Sequence, residues 1–321
     1  MKTHTARRLP ILLFVALILA STLLVVKPVA AQAPLPTIVI QSDGLVYPQT
    51  PAISRNGDVY TFTDNLYATI KIQKSNIVLD GAGYTLSGSY NGTAMDVWVL
   101  GEGPNQLPTG TLAQYTIGID LSGKDVEGIT IQNLNIRNFS IGMYIWTKNN
   151  TVTGNAVFDN IVGILLSGSN ETVTKNYIAD NTRGLFFGFN NPGDTIPPDI
   201  VINHNDFESN IVQLNGCECK DLNTTEQPHN WDNGEEGNHW SDYNGTDSDG
   251  NGIGDTAYVI DALNRDRYPL MQSSVSAPTP TMHSAEPQFP WQLGIFAMTF
   301  VVIAVLAVLV LRRIKKKTQT P

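Results

Sequence analysis

Residues 118–215 write one short pattern about four times in succession, and a chain that repeats itself at so short a period has few ways to fold. Aligned on asparagine, the pattern gives pairs five residues apart: Asn133 and Asn138, Asn155 and Asn160, Asn176 and Asn181, Asn205 and Asn210. The first members of successive pairs are 22, 21 and 29 residues apart. Each of the first three pairs is followed by a glycine and an apolar run, beginning at Gly142, Gly163 and Gly184. A polar turn and a Thr-Val-Thr triplet follow at residues 151–153 and 172–174. With no helical pattern inside the period, the units must stack, because no single one can bury its own apolar face. Between the turns the residues alternate or run apolar for a few positions and are rich in Val, Ile, Thr and Phe, which is strand chemistry. The expected fold is all-β, a single-stranded right-handed parallel β-helix. A leucine-rich horseshoe would need a leucine ladder, which this chain lacks.

Stacking gives the asparagines a purpose. Equivalent residues of successive coils lie about 4.8 Å apart, so their amides can hydrogen-bond along the axis, and asparagine also tolerates the left-handed backbone of tight turns. The longer third spacing comes from residues 190–198, a Pro- and Gly-containing insertion read as a projecting loop and a place for a binding surface.

The two ends read as targeting segments. Residues 1–33 carry Lys2, Arg7 and Arg8, an apolar run over 9–26, and Ala30, Ala31 and Ala33, the pattern of a signal peptide. Residues 291–311 are apolar and uncharged, long enough for a transmembrane helix, and the basic residues of 312–321 place that tail on the cytoplasmic side. The organisation expected is signal peptide 1–33, β-helix 34–215, an acidic Asp/Gly-rich cap 216–272, a Ser/Thr/Pro stalk 273–290, the transmembrane helix and the tail. The bulk of the protein then faces outward from a cell membrane. Nine of the 20 basic residues lie in the terminal segments, so the body holds 11 against 29 acids, a net charge near −18. That balance argues against nucleic acid as a partner.

Cys217 and Cys219 sit one residue apart, where a strained local disulfide, free thiols and a metal site all stay open. Sequons permitting glycosylation begin at Asn91, Asn138, Asn149, Asn170, Asn223 and Asn244.

The segment SNIVLDGAGYTL (residues 75–86), the Asn-rich coils after it, and an ending with GNHWSDYNGTD (237–247), NGIGD (251–255) and DRYPL (266–270) resemble the NosD-like family of exported right-handed β-helix proteins. The resemblance covers roughly residues 57–270, and related repeats recur in archaeal surface proteins. It implies either a carbohydrate-binding or sugar-hydrolysing class, or an accessory role in copper-centre maturation. Copper calls for clustered His, Cys or Met, whereas His204, His229 and His239 are scattered and no Met-rich tract exists.

Two constellations carry chemistry. Before the second asparagine of each pair stand Arg137, Asp159, Asp180 and Ser209. In register, Asp159 and Asp180 would occupy neighbouring rungs about 5 Å apart, a separation suited to a glycosidase carboxylate pair, with Arg137 one rung away. The bland reading is a set of solvated turn residues. The second constellation is DSDGNGIGD (247–255), where Asp247, Asp249, Asn251 and Asp255 fall at calcium-loop positions with Gly252 at the sixth. Tyr258 stands at the twelfth, where a bidentate glutamate is expected, and the alternative is a turn packing Trp240 and Tyr243 over the last coil. The favoured function is glycan recognition or scaffolding at a surface, with Tyr144, Trp146, Phe186, Phe187 and Phe189 as candidate stacking rings. The competing class is a polysaccharide hydrolase or lyase using the acid pair.

Overall fold

The computed structural model describes residues 35–90, 116–188, 199–215 and 229–275. The signal, transmembrane and tail segments, most of the stalk, the insertion at 190–198, Phe189, Cys217, Cys219, Asn91 and Asn223 lie outside them. Among the described residues no helix is long and apolar enough to cross a membrane.

The described residues wind through three mainly parallel sheets of eight, seven and seven strands, with a two-stranded sheet beyond them. One coil runs through Ile141–Ile145 in the first sheet, Thr151–Thr153 in the second and Ala156–Phe158 in the third. The next coil repeats this as Val162–Leu166, Thr172–Thr174 and Tyr177–Ala179, and the one after as Arg183–Phe187, Val201–Asn203 and Asp206–Glu208. Strands of three residues turn only their central side chain inward. The interior is therefore a set of files, Ile131, Val152, Val173 and Ile202 in the second sheet, and Ile136, Val157, Ile178 and Phe207 in the third. The five-residue strands of the first sheet are apolar on both faces. Met143, Ile164 and Leu185 line the interior, while Ile141, Tyr144, Val162, Leu165 and Phe186 form a second buried cluster.

Two kinds of corner column hold the coils in register. Asn155, Asn176, Asn205 and Asn238 form one buried ladder: the backbone N–H and the Nδ2 of each donate to the Oδ1 of the next at 2.9–3.0 Å. Asn160, Asn181 and Asn210 form a second with the same bonds at 3.0–3.1 Å. Next to each ladder runs a column of left-handed turn residues, one of which holds Asn138, Asp159, Asp180 and Ser209 at φ between 51° and 61°. The glycines that follow have a packing cause. A Cβ on Gly163 would sit 2.5 Å from the Gly184 carbonyl and 3.1 Å from Asn181 Nδ2.

The first asparagine pair is a correction. Strand pairing sets Ile131 against Val152 and Ile136 against Val157, so Leu134 and Phe139, not Asn133 and Asn138, stand level with Asn155 and Asn160. Their N–H groups donate to the Oδ1 atoms of those two asparagines at 3.1 and 3.0 Å. Asn133 and Asn138 belong to the left-handed columns, at φ 54° and 61°.

At the amino-terminal end, the hairpin Ile53–Asn56 with Val59–Phe62 and the antiparallel pair Thr37–Ile40 with Val46–Tyr47 close the stack. At the other end the third sheet runs beyond the expected boundary at 215, since His239–Trp240 pairs with Asp206–Glu208. Trp240 is sandwiched between Phe207, 4.4 Å away at 6°, and Tyr258, 4.2 Å away at 8°. Tyr243 is only partly buried and packs at the edge of this core. The first ladder ends on Asp266, whose buried carboxylate accepts from Asn238 N at 2.7 Å and Trp240 Nε1 at 2.9 Å.

Candidate functional site

Because only the middle residue of each third-sheet strand points inward, the first and third residues make its outer face. Down the axis the first positions read Asn135, Ala156, Tyr177, Asp206 and His239, and the third positions Arg137, Phe158, Ala179 and Glu208. The left-handed turn that follows adds Asp159 and Asp180 to the edge of this face, both exposed, at φ 56° and 53°.

The acid pair is in register: Phe158 pairs with Ala179, which places Asp159 and Asp180 on adjoining rungs, roughly 5 Å apart at the backbone. Arg137 is not a member of their column. It pairs with Phe158, and Asn138 occupies the level expected for it. It nonetheless lies close enough to act on Asp159. Partial burial raises the Asp159 carboxyl above its ordinary range, the neighbouring Asp180 raises it further, and Arg137 opposes both. The Tyr177 hydroxyl is also pushed up, first by burial and then by Asp180, Glu208 and Asp206. His239 Nδ1 lies 2.8 Å from Glu208 Oε1, within ion-pair distance but without the geometry of a hydrogen bond.

A cleft of about 460 Å³ opens beside these residues, lined by Asp80, Asn133, Asn135, Ala156, Tyr177 and Val275. Burial pushes Asp80 up, but hydrogen bonds from Gln132, the Ala82 N–H and Asn133 outweigh it and hold the carboxylate below its ordinary value. Sequence reasoning missed Tyr177, Glu208 and His239. The signal was the strand period, since each stands two residues from a core residue's other neighbour on one face.

A second cleft, of about 540 Å³, lies at the corner between the first and second sheets and is lined by Trp146, Lys124, Asp125, Lys148, Ser167 and Ser169 among others. Of the five candidate stacking rings, Tyr144, Phe186 and Phe187 are buried at 2, 6 and 5 % exposure and serve packing. Trp146 is 43 % exposed, its ring set edge-on against Tyr144 at 5.9 Å. Lys148 pairs with Glu127 at 3.2 Å. Beneath this cleft Asn150 Nδ2 donates to Thr147 Oγ1 and to Glu171 Oε1, both at 3.0 Å. Burial drives the Glu171 carboxyl up to about 8 against the pull of its bonds from Asn150.

The acidic loop of the cap is closed on itself. Asp247 accepts from the N–H groups of Gly250, Asn251 and Gly252, Asp249 from Asn251, and Asp255 from Ser248 and Thr246. Those bonds, the Ser248 hydroxyl foremost, hold Asp255 below its ordinary value. Tyr258, at the twelfth position, is a packing ring under Trp240 whose hydroxyl donates to Asp242 at 3.3 Å. Among the described residues no three His, Cys, Asp or Glu side chains converge to hold a metal ion. Of the described sequons, Asn149, Asn170 and Asn244 are exposed and Asn138 half-buried.

Residues 110–227 match the family model described as a right handed beta helix region. No curated protein and no solved structure matches the chain.

Proposed function

We propose that the chain is an outward-facing, membrane-anchored β-helix that recognises glycan at the Trp146 cleft. The observation that carries this reading is the ring itself. Trp146 stands exposed on the rim of a cleft otherwise rich in serines and lysines, and an aromatic face bordered by a few polar groups is how a pyranose ring is held. The fold agrees with surface and carbohydrate-active classes alike. The apolar stretch at 291–311 is the proposed anchor. Binding of the full chain to an array of polysaccharides, compared with Trp146→Ala, tests the proposal. The reading expects at least a tenfold loss of affinity with unchanged thermal melting, the order of a lost stacking contact. Affinity untouched by the substitution sinks it.

A second reading, a carbohydrate-active enzyme, draws on the raised Asp159 beside Asp180. Asp159→Asn with Asp180→Asn separates the two: an enzyme loses turnover of polysaccharide, and a binder keeps its affinity. Calcium at Asp247, Asp249, Asn251 and Asp255 remains a proposal on sequence alone. As folded, N–H donors of the turn hold the Asp247 and Asp249 carboxylates against the loop, and each ionised carboxylate keeps further lone pairs for an ion. A calcium-dependent rise in melting temperature, lost in Asp247→Asn with Asp249→Asn, is the supporting result.

A further inference from the structure

Residues 273–275 leave the cap and turn back along the outer face of the third sheet, where a single side chain receives them. Asp206 is the first residue of its strand and faces outward, yet it is completely buried. What covers it is the returning chain. Val275 N donates to Oδ2 at 2.9 Å, Ser274 N to Oδ1 at 3.1 Å, the Ser274 hydroxyl to Oδ1 at 3.4 Å, and the Ser273 hydroxyl to Oδ2. Both carboxylate oxygens are thus engaged by a segment 67 to 69 residues further along the chain. The same Val275 lines the third-sheet cleft together with Tyr177 and Ala156, one and two rungs before Asp206 respectively.

We propose that residues 273–275 are a strap that closes one end of the third-sheet cleft in the resting protein, with Asp206 as its latch. The latch is local, made of hydrogen bonds to one carboxylate and backed by one small apolar contact, whereas the sheet beneath is tied by continuous ladders and a packed interior. Opening therefore costs far less than unfolding. When the strap lifts, the cleft extends past Tyr177 toward Glu208 and His239. A ligand that extends from the open cleft to Glu208 and His239 must displace the protein's own chain first. The inference is independent of glycan binding at Trp146.

The test is hydrogen exchange on the full chain combined with thiol labelling. In the wild type, the amides of Ser274 and Val275 should exchange much more slowly than an open chain. Asp206→Asn should restore at least about a tenfold faster exchange there while the ladder amides of Asn155 and Asn176 keep their protection. Alkylation of Ala156→Cys, read at that residue by peptide mass because Cys217 and Cys219 are also present, should accelerate when Asp206→Asn is added. Should Asp206→Asn also loosen the ladder, Val275→Pro removes one donor without touching the sheet and must give the same faster alkylation, with the faster exchange read at Ser274. Unprotected amides in the wild type, or an alkylation rate that neither variant changes, overturns the proposal.

Discussion

Glu171 is the residue whose surroundings most oppose its charge. It stands in a buried corner position whose counterpart one coil earlier is Asn150, and both its oxygens face donors on that asparagine, Nδ2 at 3.0 Å and the backbone N–H at 3.2 Å. Its folded value near 8, against an ordinary 4.5, means that the folded state holds a proton which the unfolded chain releases. Below pH 4.5 both states are protonated and nothing is lost. Between pH 4.5 and about 8, stability falls as pH rises, and above that the penalty is complete. Glu171→Gln removes the titration, at a roughly constant cost of about 1 kcal/mol for the acceptor it lacks. Relative to the wild type, the variant should therefore gain a few kcal/mol between pH 5 and pH 8, seen in denaturant melts at both values. A difference independent of pH would show that Glu171 is charged in the fold. The sequence showed a Glu before Thr-Val-Thr but not its burial, which depends on the turn of the neighbouring coil.

The ladders are the elements that set register. Asn176 is fully buried and makes its bonds to three coils: Nδ2 donates to the carbonyls of Val152 and Thr174 and to Asn205 Oδ1, while its own Oδ1 accepts from Asn155. Asn176→Ala leaves several buried donors and acceptors without partners, at 1–3 kcal/mol each by order of magnitude. A loss of roughly 3 kcal/mol or more is expected in chemical denaturation. Asn133→Ala, by contrast, removes an exposed side chain and its hydrogen bond to Asp80 Oδ1 from a left-handed turn and should cost about 1 kcal/mol. Equal losses would refute the register. Stacking, strand period and the existence of ladders were legible in the repeat itself, and so was the rung relation of Asp159 and Asp180. The first pair was misread because asparagine is favoured in two adjacent columns for two different reasons, backbone conformation in one and amide bonding in the other. Arg137 was carried out of place by the same one-residue slip, and with it went the view of Tyr177, Glu208 and His239 as one face.

For the whole molecule, stability rests on closing both ends of the stack. Phe207, Trp240 and Tyr258 form a continuous pile of rings from the last coils into the cap, and Trp231 packs beside it at 6.2 Å. Trp240→Ala removes the middle ring and orphans Asp266 from its indole donor. A cost of about 3–5 kcal/mol is expected, with hydrogen exchange rising first in the last coils and only later near residues 130–137. Uniform loss of protection along the axis would mean that the coils unfold as one unit. The ladders also have a direction. Every bond from one ladder asparagine to the next runs toward a coil of higher residue number, and the acceptor it needs belongs to chain that a ribosome has not yet made. A growing stack is therefore never finished at its newest rung. Each coil is held in waiting by the one before and completed by the one after, until in the first ladder Asp266 arrives with carboxylate oxygens to give and no side-chain amide hydrogen to pass on. The protein carries its own full stop, and truncation anywhere short of it should leave an end that still seeks a partner.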